Sequence, residues 1–191
     1  MTASLVQQYQ PLLSTASFAA RAHRHQIRKD RETPYIAHPF RVCLITRHIF
    51  GIDDPRTLMA ALLHDTIEDT TTDRDDIVEA FGPEVAGWVA DLSKDTRLAD
   101  AKRELEYMTT LAAADPAVKI CKLADMFDNL MDSLNLPLPL RRKTVKRSKE
   151  YLGCLEKDLP TKAAKPMTQV RQLLAEVEAT LQDATSSSKT E

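Results

Sequence analysis

Four residues able to bind a cation or move a proton crowd into the run HDTIED, residues 64–69. On a helix, side chains four apart share a face. The spacing therefore predicts His64 beside Glu68 and Asp65 beside Asp69. Adjacent His64 and Asp65 can both reach one metal ion if the helix presents its edge to a cleft. An imidazole nitrogen with carboxylate oxygens suits a borderline divalent ion such as Mn²⁺, Fe²⁺, Co²⁺ or Zn²⁺ better than an all-oxygen Mg²⁺ site. An isolated His-Asp pair is ordinarily a polar helix face with an incidental histidine. Here apolar AALL precedes the pair, and three acids within six residues repel one another unless a cation compensates.

Two more residues belong to the same argument. His38 follows Tyr-Ile-Ala and precedes Pro39 at an expected helix start, where its ring can project into a cleft; the alternative is a surface or capping histidine. Asp125 sits in KICKLADMFDNL among apolar residues expected to face the core. A lone buried aspartate is costly unless it is paired or metal-bound. The alternative to a ligand is a salt bridge with Lys122 or Arg24. Asn129 lies one turn beyond Asp125 on the same face.

The elements that must position these residues read as helices. Periodic apolar residues run from Ser4 to about Gln26, with Pro11 an interruption near the start. A polar, proline-bearing loop RKDRETPYIAHP leads to a helix expected to begin at Pro39 and end at Gly51. Asp54 caps, and Pro55 opens, a helix expected to carry the whole of PRTLMAALLHDTIEDT. Helices to Phe81, after Gly82-Pro83, and from about Leu98 to Ala114 follow. Asp115-Pro116 repeats the cap-plus-proline start. NLPLPL is read as a turn, RRKTVKRSKEYLGCLEKDL as a basic helix, and Pro160 to Pro166 as a break before a last helix. The expectation is an all-α bundle of eight or nine helices without a sheet. One domain would span residues 1–183, and TSSSKTE would lie in a disordered tail, residues 184–191.

Bulk composition narrows the function classes. The formal net charge of -2 argues against a general nucleic-acid or membrane-surface binder. Only 4 glycines occur, and neither a dinucleotide fingerprint nor a P-loop is present. Cys43, Cys121 and Cys154 form no CxxC, so a reducing compartment is expected, with Cys43 and Cys121 packing as small hydrophobes. No signal peptide and no apolar run of ~20 residues is seen. A soluble cytoplasmic protein acting on a small molecule is the expectation.

The order His38, His64-Asp65, Asp125 over separate helices is the pattern of the HD phosphohydrolase superfamily. The stretches AARAHRHQIRK, TPYIAHPFRV, AALLHDTIEDT, FGPEVAGWV and VKICKLADMFDNL resemble the hydrolase domain of RelA/SpoT proteins over roughly residues 15–135. The chain length is most similar to the stand-alone small alarmone hydrolases. The resemblance implies an all-α HD fold and Mn²⁺-dependent removal of the 3′-pyrophosphate from ppGpp and pppGpp, giving pyrophosphate with GDP or GTP. It implies His38, His64, Asp65 and Asp125 as metal ligands and Glu68 with Asp69 as the pair that activates the attacking water. It implies Arg28 and Lys29 near the nucleotide base and phosphates, and Asn129 as a substrate contact.

The sequence departs from the family in four places. The 28–38 loop lacks a glycine common there and is about one residue longer. Met126 and Asp128 stand where a basic residue and a histidine or aromatic are frequent, and an acid at Asp128 is expected to weaken phosphate binding. SKDT replaces a Thr-Lys pair and leaves Lys94 part of that role. Nothing corresponds to a synthetase domain, so degradation without synthesis is expected, and a functional pairing with an alarmone synthetase encoded elsewhere is one role open to such a chain. In the basic helix most charges read as a solvated face, with Arg141, Arg142, Lys146, Arg147 and Tyr151 as candidates to line a phosphate site. The same metal chemistry also suits an NADPH 2′-phosphatase or a nucleoside monophosphatase, and a non-catalytic nucleotide-binding module is a third reading.

Overall fold

Side-chain caps start four of the helices. Ser4 opens α1 (Leu5–Ala22) in a capping box with Gln7, and Asp54 accepts from the Thr57 N–H to start α3 (Pro55–Leu63). Asp73 begins α5 (Arg74–Phe81) in a second capping box, and Asp115 begins α8 (Pro116–Ser133). Each cap satisfies N–H groups that a helix start leaves without partners. The remaining elements are α2 (Ala37–Leu44) running into a π-helical turn (Ile45–Ile49), the single turn α4 (Thr66–Asp69), α6 (Pro83–Leu92), α7 (Asp100–Ala113), α9 (Leu138–Leu155) and α10 (Thr161–Ser187).

This computed structural model describes residues 4–187. Among them are nine helices of eight residues or more and no strand; a lone antiparallel bridge joins Ile27 and Pro34. The disordered tail expected at 184–191 falls in part outside the described residues, and α10 is helical to Ser187.

Several boundaries differ from the sequence reading. The second helix starts at Ala37, so His38 is inside its first turn; the Pro34 and Tyr35 carbonyls accept from Ala37 and His38 N–H at 3.0 and 2.9 Å. Pro39 then occupies the first turn, where a missing N–H costs nothing. Pro139 sits likewise in the first turn of α9. Pro11 and Pro166 both lie inside helices, α1 and α10, rather than breaking them. Each removes one hydrogen bond near a helix start, a loss that packing of the apolar faces outweighs. At its other end α1 stops at Ala22, short of Gln26, and leads into the 23–36 loop.

Helix α8 is the axis of the bundle and packs on α2, α3, α6, α9 and α10. Leu123, Ala124 and Leu130 are fully buried in it. Lys119 is also buried, with its ammonium donating to the Lys157 carbonyl at 2.8 Å just past the end of α9. That bond ties two helices together and satisfies a charge that would be costly alone. The same axis brings Asp125, Asp128 and Asn129 beside α2.

In the 23–36 loop, Arg31 adopts φ 66°, the left-handed region that glycine enters freely. The Asp30 carboxylate holds the turn by accepting from Glu32 and Thr33 N–H at 2.9 Å and from the Thr33 hydroxyl at 2.6 Å. The loop makes this turn with no glycine among residues 23–36.

Candidate active site

The His-Asp pair sits at a joint between helices, which corrects the expectation of one continuous helix. Residues of a continuous helix point about 100° apart from one position to the next, so His64 and Asp65 would diverge. Here α3 ends at Leu63 and α4 begins at Thr66. His64 Nδ1–H donates to the Ala61 carbonyl at 2.9 Å, and the Thr66 hydroxyl donates to the Leu63 carbonyl at 2.7 Å. Side chains thus take carbonyls that a continuing helix would use. The Asp65 carbonyl then accepts from Asp69 N–H at 2.9 Å and winding resumes. With Nδ1 committed to a carbonyl, His64 turns Nε2 to the cleft, 3.0 Å from Asp65 Oδ2.

Helix α2 supplies the facing imidazole. His38 Nε2 lies 3.2 Å from His64 Nε2, 3.1 Å from Asp125 Oδ1 and 3.5 Å from Asp65 Oδ2. Asp125 Oδ1 is 3.9 Å from His64 Nε2. His38, His64 and Asp65 form a group whose donor atoms lie close enough together to hold one metal ion, and Asp125 reaches both imidazoles. The sequence alternative for Asp125 is realised as well: Lys122 Nζ sits 2.7 Å from Oδ2, and Asn129 donates to Oδ1 at 2.5 Å.

The remaining acids hang beside this cluster. Glu68 Oε2 accepts from the Lys94 N–H at 2.8 Å, which fixes its carboxylate from the loop after α6. Tyr35 donates to Asp65 Oδ2 at 2.7 Å, and its oxygen is 3.1 Å from Asp69 Oδ2. The Gln26 amide donates to the Asp69 carbonyl. Tyr35 was not singled out in the sequence, although its place three residues before His38 put it on the same turn.

Across the cleft stands a wall of opposite character. Lys122 Nζ lies over the Tyr107 and Tyr151 rings at 5.3 and 4.6 Å, and Lys94 Nζ over the same rings at 5.1 and 5.7 Å. The ring faces add to the ion pairs that each ammonium also makes, Lys122 with Asp125 at 2.7 Å and Lys94 with Glu104. Glu104 gathers the group: it pairs with Arg147, lies 3.4 Å from Lys94 Nζ and accepts from the Tyr151 hydroxyl at 3.0 Å. The cleft between the walls has a volume of about 480 Å³. Lys29, Asn129 and Thr144 line both this cleft and a smaller pocket of about 220 Å³ beside it.

A model of the HD domain matches residues 15–152. The chain belongs to the HD-domain family. Over 122 residues it is 45% identical to the guanosine-3′,5′-bis(diphosphate) 3′-pyrophosphohydrolase MESH1 of Homo sapiens, which covers 63% of this chain and 68% of that protein. A guanosine-3′,5′-bis(diphosphate) 3′-pyrophosphohydrolase of Aquifex aeolicus is 37% identical over 141 residues, 72% of this chain but 20% of its own length. A solved structure of a metazoan ortholog of SpoT, described as hydrolysing ppGpp and playing a role in starvation responses, superposes with a TM-score of 0.78 at 28% identity, covering 92% of this chain and 97% of that one. HD domains are a metal-dependent hydrolase fold, and two imidazoles with set tautomers beside two carboxylates fit a divalent ion of the borderline class.

The HD cluster divides its carboxylates into two kinds. Burial alone would raise the pKa values of Asp65 and Asp125. For Asp65 the adjacent His64 and then His38 reverse this, and for Asp125 Lys122 and His38 do, so both fall below the usual carboxylate range. Glu68 and Asp69 go the other way: burial, with the charge of Asp65 adding to it, raises both. Burial disfavours the charged form of His38, yet its bonds to Asp125 and Asp128 lift it to about 9.

Other expected site residues are placed less simply. Lys29 and Asn129 line the cleft. Arg28 lines only the side pocket, and its guanidinium pairs with Asp132 and lies 3.8 Å from Asp128. Asp128, expected to oppose a phosphate, is 3% exposed and turned away from the cleft. In the basic helix, Arg147 and Tyr151 face the cleft, whereas Arg141 is spent on the Ser133 and Leu134 carbonyls at the end of α8. Arg142 is exposed, and Lys146 pairs with Glu150 at the surface; neither lines the cleft. Among the described residues, no helix is long and apolar enough to cross a membrane.

Proposed function

We propose that this chain is a Mn²⁺-dependent (p)ppGpp 3′-pyrophosphohydrolase, with His38, His64, Asp65 and Asp125 as the metal ligands. The observation that carries the reading is the convergence of the two imidazole Nε2 atoms with the Asp65 and Asp125 carboxylates at the cleft that Glu68 and Asp69 also line. The 45% identity to a named ppGpp hydrolase directs it to this substrate. A divalent ion held there polarises a phosphoryl oxygen and makes water acidic enough to ionise near neutral pH.

The chain's own groups do the rest. Glu68, held by the Lys94 N–H, takes the proton of the attacking water, a task its raised pKa suits. Asp69, tied to Asp65 through the Tyr35 hydroxyl, keeps the acid pair in register over the site. Water adds to the phosphorus nearest the ribose, the bond from that phosphorus to the 3′-oxygen breaks, and the oxygen leaves with a proton as GDP or GTP. Lys94, Lys122 and Arg147 compensate the charge on the phosphate oxygens. Lys29, Asn129 and the side pocket containing Arg28 receive the nucleoside end.

The test is a release assay with Mn²⁺ over ppGpp, pppGpp, NADPH and nucleoside monophosphates. Pyrophosphate from ppGpp is the expected result. Orthophosphate from NADPH or monophosphates alone would replace the substrate but keep the site. Tight nucleotide binding without any release would make the chain a binding module.

A further inference from the structure

Asp128 is a carboxylate in an unusual position for its charge. It is 3% exposed, lies one turn after Asp125 on α8, and does not reach the cleft. Its Oδ2 lies 2.6 Å from His38 Nδ1. Its other oxygen accepts from Arg41 Nε at 2.6 Å, and Arg41 Nη2 reaches back to Oδ2 at 3.0 Å. Arg41 stands three residues after His38, so one turn of α2 presents an imidazole and a guanidinium to one turn of α8. Arg41 also reaches Asp132 at 2.9 Å, and Arg28 from the 23–36 loop pairs with that same Asp132. His38 is thereby gripped at both ring nitrogens, Nδ1 by Asp128 and Nε2 beside Asp125 at 3.1 Å.

A ring held this way has one free choice removed. Nδ1 keeps its proton and donates it to the Asp128 carboxylate, so Nε2 is the nitrogen left for a cation. A buried carboxylate accepting from the far nitrogen of an imidazole also makes the near nitrogen more basic and fixes the plane of the ring. His64 gets the same service from a neutral carbonyl, that of Ala61 at 2.9 Å. The two imidazoles are therefore unequal: only His38 is backed by a full negative charge. That charge is itself buried, and Arg41 keeps it from being an uncompensated cost.

We propose that Asp128 is the positioning residue for His38, setting its tautomer and strengthening its hold on the divalent ion, and so raising the metal affinity of the site rather than opposing the phosphates. The inference rests on the reading of His38 as a metal ligand given above. Asp128 touches neither substrate nor cation and acts through the ring alone.

The experiment measures Mn²⁺ dissociation constants by calorimetry on metal-stripped protein without substrate, with melting temperatures on the same samples. Asp128→Asn keeps the shape and one acceptor but removes the charge; Asp128→Ala removes both. Loss of such a partner typically weakens metal binding by about 10- to 100-fold. The expected result is a loss near the lower bound for Asn and near the upper bound for Ala, with kcat on ppGpp recovering toward wild type at saturating Mn²⁺ in the Asn variant. Arg41→Gln, which breaks the same helix–helix bridge without touching His38, is expected to lower the melting temperature and leave the Mn²⁺ constant within about 3-fold, a bound below the smallest loss expected for Asp128. Wild-type affinity in Asp128→Asn would overturn the proposal, as would equal weakening in Arg41→Gln, which would assign the effect to helix docking. A wild-type protein that binds no Mn²⁺ would instead remove the metal reading itself, and this proposal with it.

Discussion

The two walls of the cleft are built by opposite rules. On one side His64, Asp65 and Asp125 gather within 3.5 Å of His38 Nε2, from a helix joint and two facing helix turns. On the other side Lys94, Tyr107, Arg147 and Tyr151 come from a loop and two different helices and meet through ring faces and one shared acid, Glu104, while Lys122 bridges to the first wall through its ion pair with Asp125. The first wall concentrates donors for one ion at one point. The second spreads positive charge over a surface, which suits a ligand whose own charge is spread over several phosphates. Metal coordination demands sub-ångström placement; charge compensation tolerates more freedom. Substitutions on the first wall are therefore expected to act on kcat and metal content, and those on the second on KM.

The sharpest break in that contrast would come from the proposed ligands. Asp125→Ala or His64→Ala is expected to lose bound Mn²⁺ and roughly 10³-fold or more in kcat, since a metal supplies several kcal/mol of transition-state stabilisation. Chelation of the wild-type protein should reproduce the loss, and added Mn²⁺ should reverse it. Elemental analysis checks the assignment directly: an Asp125→Ala protein with full metal occupancy would sink it. Next in size is Glu68→Gln, which keeps the acceptor from Lys94 N–H but removes the base. Its expected loss is about 10²- to 10⁴-fold in kcat with metal retained. If the variant loses its metal instead, Glu68 belongs among the ligands, and if it keeps the wild-type rate, the base is elsewhere.

On the opposite wall, Arg147→Ala is expected to raise KM for ppGpp by roughly 10- to 100-fold, the equivalent of one charge-assisted hydrogen bond, with a smaller change in kcat. Metal content should not move. A kcat loss as large as that of Glu68→Gln, at unchanged KM, would mean that the basic wall also takes part in the chemistry and that the division of labour drawn here is wrong.

The convergence of the first wall was legible in the sequence and the second wall only in part, through Lys94, Arg147 and Tyr151, and the reason is local. HDTIED carries its chemistry within six residues, and Asp125 betrays itself by being charged in an apolar run. The all-helical fold was equally readable, because caps such as Asp54-Pro55 and Asp115-Pro116 announce helix starts. The break at His64-Asp65 was hidden, since it depends on the side chains of His64 and Thr66 capturing carbonyls, which residue spacing does not encode. The basic wall left a weaker trace because its members lie far apart in the chain, and in the basic helix the residues that face the cleft are mixed with an ordinary solvated face. Arg141 and Arg147 share a helix and a residue type, yet one caps α8 and the other faces the cleft; only the packing of α9 on α8 separates them. Asp128 was misread for a related reason. Its partners, His38 and Arg41, are about ninety residues away, and an acid next to a phosphate site looks like repulsion until those partners are in place.

The smallest expected effect tests how the basic wall is tuned. Glu104 is the acid that Lys94, Arg147 and Tyr151 share. Burial opposes its charge, but its bonds to Arg147 and Tyr151 and the charge of Lys94 outweigh that and lower its pKa, so it is ionised at neutral pH. An anion there both aligns the three groups and subtracts from the field they present to a polyphosphate. Glu104→Gln separates the two roles, because the amide oxygen can still accept from Arg147, with the amide NH2 in place of the oxygen to which Tyr151 donates, while the charge is gone. One unit charge at about 7 Å in a water-like dielectric is worth about 0.6 kcal/mol, or roughly 3-fold in binding. The variant is therefore expected to lower KM for ppGpp by about 3-fold, with kcat and Mn²⁺ affinity unchanged, if subtraction is the larger role. Because Glu104 and its cation partners are partly exposed, salt screens part of the effect, so the difference from wild type should shrink as ionic strength rises above about 0.15 M. A KM that rises at all ionic strengths would show that alignment outweighs charge, and the wall would then be as dependent on placement as the metal cluster it faces.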